Sequence, residues 1–114
     1  RGAVATAVFT TPPLSHIGLT ETQAREKGLN IVAKKMPAMA IPKAKVLGQT
    51  DGLLKAVVDA DTDEVLGVTL FCAESHEIIN LFKPIIDHHI KASYVRDMIF
   101  THPTMAEGLN DLFA

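Results

Sequence analysis

The chain has 114 residues, of which 47% are hydrophobic and 21% are charged, with a net charge of −2. This composition is typical of one globular domain with its own core, and it excludes a disordered chain. The charge gives no electrostatic reason to expect binding to nucleic acid or to an anionic membrane. No apolar run reaches the length of a membrane span, and no signal-peptide pattern occurs. The only cysteine, Cys72, suits a reducing compartment, so the expected location is the cytoplasm.

The N-terminal third of the chain predicts strands on either side of one short helix. Residues 4–10 alternate and are rich in β-branched side chains, so they predict a strand that ends before a Pro-Pro pair. His16 follows this pair and is interpreted as a turn or interface residue. The T-E-T-Q capping box at residues 20–23 predicts a helix that ends at Gly28. Residues 29–35 predict the next strand.

The central region predicts a hairpin followed by the longest helix. Leu53–Asp59 and residues 65–72 are predicted strands, joined by the polar turn 60–64. Residues 74–90 predict a helix, in which Pro84 should cause a kink because proline lacks a backbone donor. The predicted apolar stripe of this helix has helical spacing and consists of Ile78, Phe82, Ile85, Ile86 and His89.

Two short helices complete the predicted elements. Ser93 is expected to cap a helix that runs to Met98, and Thr104 is expected to begin another that ends at Phe113. Strands grouped with helices around one sheet predict an α+β class, with an antiparallel β-sheet flanked by helices.

Histidines and the cysteine outside the C-terminal segment are also candidates for functional sites. His76 and Glu77 begin a zinc-binding H-E-x-x-H pattern, but Asn80 replaces the second histidine ligand, so no metal site is predicted. Adjacent histidines at 88 and 89 point to different faces of the predicted helix and cannot chelate one ion. Cys72 is interpreted as a small buried hydrophobe and not as a reactive thiol.

The segment from His102 to Glu107 is the most informative for function. Histidine is the usual general acid or base near neutral pH, and a carboxylate at its second nitrogen fixes the tautomer and favours the imidazolium. Pro103 restricts the backbone and can aim the histidine side chain. The same residues allow a second interpretation, since Thr104 and Glu107 also form a capping box at a helix start. Both interpretations stay open from these residues alone.

Three motifs in order, the second made of two stretches, resemble the C-terminal dimerisation domain of the pyridine nucleotide-disulfide oxidoreductases, the family of glutathione reductase, dihydrolipoamide dehydrogenase and mercuric reductase. Residues 7–21 (A-V-F-T-T-P-P-L-S-H-I-G-L-T-E) resemble the opening of that domain. Residues 50–55 and 65–68 match its central hairpin. His102, Pro103 and Thr104 with Glu107 match the H-P-T-x-x-E signature.

The resemblance implies an antiparallel sheet with packed helices, a homodimer, and a parent enzyme that uses FAD and NAD(P)H. It implies that His102 reaches into the active site of the partner subunit as the acid/base for the redox thiols, with Glu107 holding the imidazole. It also implies that the backbone of His102 and Pro103 approaches the partner's flavin. Residues 70–80 and 107–113 further resemble a bacterial subgroup of reductases that act on reactive oxidants.

The sequence itself lacks the parts that hold the cofactors in this family. It contains no G-x-G-x-x-G fingerprint and only one cysteine, so it cannot form the C-x-x-x-x-C redox pair. Residues 1–114 are therefore expected to be the dimerisation domain of a larger flavoenzyme, inactive without the FAD and NAD(P)H domains. Arg1 and Gly2, in place of an initiator methionine, fit a cut in the linker before this domain. The alternative is a non-catalytic protein-binding or assembly module.

Overall fold

One antiparallel sheet organises the computed structural model, which describes residues 3–8, 13–38, 52–72, 74–98 and 108–113. Within these ranges the strand order is β1-β2-β5-β4-β3, and every pair of neighbours is antiparallel. The strands are β1 (Thr6–Val8), β2 (Leu14–Gly18), β3 (Ile31–Pro37), β4 (Leu53–Asp59) and β5 (Val65–Phe71). The predicted α+β class, an antiparallel sheet with helices, is confirmed.

All four predicted strands occur, and one further strand, β2, was not predicted. β4 has its predicted bounds, β5 ends one residue early, and β3 begins and ends two residues later than predicted. β1 lies within the predicted range, of which residues 9 and 10 fall outside the described residues. The interpretation of His16 as a turn residue is wrong, because His16 pairs with Thr6 and Thr69 in the middle of β2. The strand was missed because serine occupies one of its two inward positions.

Alternating residues of the central strands form the inner face of the sheet and the floor of the core. The fully buried side chains on this face are Ile17, Leu54, Ala56, Val68 and Leu70. Burying a valine, leucine or isoleucine side chain contributes about 1.5–3 kcal/mol, so this face drives helix packing. The helices on this side cover the floor with Ile79, Phe82, Val95 and Leu109, all nearly inaccessible to solvent.

Helix α1 (Glu21–Glu26) forms as its capping box predicts. The Thr20 hydroxyl accepts from the Gln23 amide at 3.1 Å, and the Gln23 side chain accepts from the Thr20 amide at 3.0 Å. Gly28 follows the helix with φ of 77°, in the left-handed region that glycine tolerates. This local signal was sufficient because both bonds join residues three apart in the chain.

The predicted long helix over residues 74–90 is broken into three pieces: α2 (Ser75–Ile78), a 3₁₀ turn (Ile79–Leu81) and α3 (Phe82–Asp87). Pro84 explains the break, because it offers no amide to the carbonyl of Asn80 and its ring crowds that carbonyl. Ile78, Phe82 and Ile85 are buried as predicted. His89 was wrongly placed on the apolar stripe: the helix ends at Asp87, and His89 is exposed with φ of 56°.

The predicted cap of the next helix, α4 (Ala92–Arg96), is also wrong. Ser93 lies inside this helix and does not cap it. The cap comes from the β4–β5 turn, where the Asp63 carbonyl accepts from the Ala92 amide at 2.6 Å and its carboxylate accepts from the Ser93 amide at 3.0 Å. The last helix, α5, spans Gly108–Leu112, and the predicted start at Thr104 lies outside the described residues.

Candidate functional site

The proposed site residues His102, Pro103 and Glu107 lie in segment 99–107, outside the described residues. The structure describes the two ends of this segment, which are Met98 after α4 and Gly108 at the start of α5. Helices α4 and α5 are therefore the described elements on either side of these residues in the chain.

Helix α5 is fixed by its apolar side chains in the core. Leu109 is fully buried, and Leu112 and Phe113 are 3% and 2% exposed. The rings of Phe113 and Phe82 pack with their centroids 6.0 Å apart and tilted by 34°, within the range of favourable aromatic pairs. Helix α5, which follows segment 99–107 in the chain, is thus packed against α3 and the core.

A single side chain joins α5 to the end of α4. The Asn110 amide nitrogen donates to the carbonyls of Met98 at 2.7 Å and Arg96 at 2.9 Å, with a longer contact of 3.3 Å to Val95. These carbonyls belong to the last turn of α4 and the residues after it, where helical carbonyls run out of amide partners; the Val95 carbonyl also accepts from the Met98 amide at 3.3 Å. Sequence reasoning missed this contact, because nothing local marks an asparagine as the cap of another helix.

The outer face of the sheet carries an apolar row at one end. Leu14, Phe71 and Leu53 are direct neighbours across β2, β5 and β4, and they are 37%, 36% and 44% exposed. They line a groove of about 430 Å³ that continues along the outer face to Lys55 and Thr69. This is an apolar concave surface with a polar side, which is the composition of many contact surfaces.

Polar contacts bound the other end of this groove. The Glu21 carboxylate on α1 forms ion pairs with the Lys55 ammonium at 2.8 Å and with the Arg25 guanidinium at 3.0 Å. The hydrogen bond from Lys55, followed by that from Arg25, lowers the pKa of Glu21 to about 2. Beside it, the two ring nitrogens of His16 bond the Thr69 hydroxyl at 2.7 Å and the Gly18 carbonyl at 2.8 Å.

Cys72 is a free, buried cysteine, which confirms its predicted burial. Desolvation by burial, aided by the charge of Glu74, raises the pKa of its thiol to about 12, so almost no thiolate forms at neutral pH. In the part of the chain that the structure describes, no three His, Cys, Asp or Glu side chains meet as possible metal ligands. Within the same ranges, no helix has the length and apolar character that crossing a membrane requires.

Comparison with known proteins identifies the fold's family. Residues 4–113 match the family model described as the pyridine nucleotide-disulphide oxidoreductase dimerisation domain. The chain belongs to this family. Over all 114 residues it is 51% identical to the probable pyridine nucleotide-disulfide oxidoreductase RclA of Escherichia coli (strain K12). Over 106 residues it is 37% identical to a dihydrolipoyl dehydrogenase of Thermus scotoductus and 34% identical to a mercuric reductase of Lysinibacillus sphaericus.

The solved structure of a relative agrees with the fold. The HOCl-induced flavoprotein disulfide reductase RclA from Escherichia coli superposes with a TM-score of 0.96, covering 99% of this chain and 26% of that one. The chain likewise spans 26%, 23% and 19% of the length of the three curated relatives named above. The predicted membership in this family, as a dimerisation domain, is confirmed.

Two helix starts among the described residues are filled by side chains of the chain itself. Free amides at a helix N-terminus are a common binding site for the phosphates of dinucleotides. The start of α1 is closed by its own capping box and followed by Glu21, and the start of α4 is bonded to the Asp63 carboxylate. These two helix starts are therefore occupied by side chains of the chain and carry acidic groups that repel phosphate.

Proposed function

We propose that the chain is the homodimerisation domain of an FAD-dependent NAD(P)H:disulfide oxidoreductase and supplies His102 and Glu107 to the partner subunit's redox-cysteine site. The observation that carries this proposal is the match of residues 4–113 to the dimerisation domain, together with the H-P-T-x-x-E signature at 102–107. FAD and NAD(P)H, held by parts of the parent outside this chain, would supply two electrons to the cysteine pair. The 51% identical relative is described as HOCl-induced, which favours a role in the response to reactive oxidants. The proposed location is the cytoplasm.

In this mechanism, the residues of the chain move and hold a proton. When a redox thiolate attacks a substrate disulfide, one S–S bond forms, another breaks, and the leaving sulfur carries the electron pair. The His102 imidazolium gives its proton to that thiolate, and the neutral imidazole later accepts a proton from a redox thiol. Glu107 accepts a hydrogen bond from the second ring nitrogen, which fixes the tautomer and raises the proton affinity. The backbone of His102 and Pro103 is proposed to lie toward the partner's flavin.

The test compares the two half-reactions of the parent enzyme by stopped flow. His102→Ala should leave the reduction of flavin by NAD(P)H intact, because hydride transfer does not use this acid. It should slow thiol–disulfide exchange by on the order of a hundredfold to ten-thousandfold, the usual cost of losing a positioned general acid/base. Full turnover in His102→Ala would refute the catalytic role and favour the non-catalytic module.

A mixed dimer tests whether the site is shared between subunits. One subunit carries His102→Ala and the other lacks the redox cysteine pair, so each homodimer should be inactive. Their heterodimer has one site in which His102 and the cysteines come from different subunits, and it should regain activity. If the heterodimer stays inactive while wild-type subunits mixed in the same way are active, His102 serves its own subunit.

The Glu107→Gln variant distinguishes the two interpretations of Glu107, as a member of the catalytic dyad or as a capping residue. The amide keeps a hydrogen bond but removes the charge that favours the imidazolium, so the pKa of His102 should fall. The limb of the turnover–pH profile that His102 sets should therefore move to lower pH, with a smaller loss of rate than in His102→Ala. If Glu107→Gln lowers thermal stability but leaves this limb unmoved, Glu107 is a capping residue.

A further inference from the structure

Helix α4 is bonded at both ends by residues far away in the chain. Asp63, in the turn between β4 and β5, accepts from the first amides of the helix. Asn110, on α5, donates to the carbonyls of Arg96, the last residue of α4, and of Met98, two residues after it. A helix of only five residues is marginal without such contacts, because nucleating a helix is costly. The position of Met98 therefore depends on these two side chains.

Asn110 differs from Asp63 because it joins the two helices that flank segment 99–107 in the chain. Met98 is the last described residue before the segment, and Asn110 lies in the first turn of the helix that follows it. Asn110 contacts the backbone carbonyl of Arg96, whose side chain instead donates to the Asp97 carboxylate at 3.0 and 3.2 Å. A carboxamide suits this place because its two N–H groups can serve two carbonyls at once.

We propose that Asn110 is a positioning residue for His102: it bonds the end of α4 to α5, and these are the helices between which the segment with the acid/base lies in the chain. This inference rests on the proposed role of His102. Leu109, beside it, is buried in the core, so α5 provides a fixed base for the bond. Loss of the bond would free Met98 from α5 while α5 stays packed, so His102 should serve less well as the acid/base.

Two substitutions and one control separate positioning from general stability. Asn110→Ala removes the amide, and Asn110→Asp keeps the size and shape but replaces the donor N–H groups by an acceptor that faces carbonyls. Thr20→Ala is the control, because it removes the capping box of α1, remote in the chain from segment 99–107. Loss of such a cap costs about 1 kcal/mol, comparable to the loss of one or two hydrogen bonds.

In the parent enzyme, both Asn110 variants should slow thiol–disulfide exchange by on the order of tenfold to a hundredfold, the effect of misplacing a catalytic group by about 1 Å. The reduction of flavin by NAD(P)H should not change, and the pH limb set by His102 should shift. Thr20→Ala should change none of these rates at a temperature where every variant is folded. In the His102→Ala background, Asn110→Ala should have no further effect on exchange, because the residue through which it acts is absent.

Three results would overturn the inference. If His102→Ala is slow but both Asn110 variants match Thr20→Ala, the positioning role is wrong and the proposed function stands. If Asn110→Ala slows exchange equally with and without His102, Asn110 acts by another route. If His102→Ala has full turnover, both the proposed function and the positioning role are wrong. Should Asn110→Asp fail to fold, Asn110→Ala and its double variant still give this decision.

Discussion

Gly67→Ala should destabilise the protein strongly, because the chain crosses directly over Gly67. A Cβ at this position would overlap the Leu19 carbonyl oxygen and lie 2.8 Å from the backbone N and C of Leu19. Leu19 cannot move freely, since its amide donates to the Leu66 carbonyl at 3.0 Å and the capping box of α1 follows immediately. The overlapping atoms are backbone atoms, so no side-chain rotation can relieve the contact.

The expected loss follows from two terms. Overpacking at a tight site costs about 1–3 kcal/mol, and loss of the Leu19–Leu66 hydrogen bond adds about 1 kcal/mol, so the free energy of unfolding should fall by about 2–4 kcal/mol. Gly28→Ala is the matched control. Gly28 has φ of 77° but open space around the added methyl group, so only the left-handed backbone costs energy, roughly 1 kcal/mol.

Urea denaturation at one protomer concentration measures both variants, with the midpoint reporting stability if the slope is unchanged. The reasoning is refuted if Gly67→Ala is as stable as Gly28→Ala or more so. In that case the backbone at Leu19 can move away at little cost, and the close packing of α1 on the outer face of the sheet does not require a glycine at position 67.

Two further predictions concern charge and thiol chemistry. The pKa of Glu21 is depressed, so its ion pair with Lys55 stabilises the fold above the unfolded pKa of about 4.5 and this contribution disappears as the pH falls toward about 2. Lys55→Met should therefore lower Tm relative to wild type at neutral pH, and this difference should shrink through that acid range; a difference that grows there would contradict the assignment. Native Cys72 should resist a thiol reagent at about pH 8 and react after unfolding, as followed by mass spectrometry of its peptide, because burial raises its pKa to about 12. Equal labelling of the native and unfolded states would show that the thiol is accessible.

The sequence by itself determined features whose partners lie within a few residues. The capping box of α1 could be predicted because its two hydrogen bonds join residues three apart in the chain. The bounds of β4 could be predicted because side chains in a strand alternate between the two faces of the sheet. The order and spacing of the motifs, ending in His102 and Glu107, likewise gave the family, which the match over residues 4–113 confirms. The dyad itself remains a proposal.

Tertiary structure decided what depends on residues far apart in the chain. Ser93 was predicted to cap α4 on local preference, but Asp63 fills this role because the β4–β5 turn places it there. β2 was hidden because Ser15 points inward, and its hydroxyl is satisfied by Ser75, 60 residues later. The bond from Asn110 to the end of α4 exists because packing in the core holds α5 beside that helix. No sequence periodicity or motif marks the two partners of such a hydrogen bond, so only the tertiary structure brings them together.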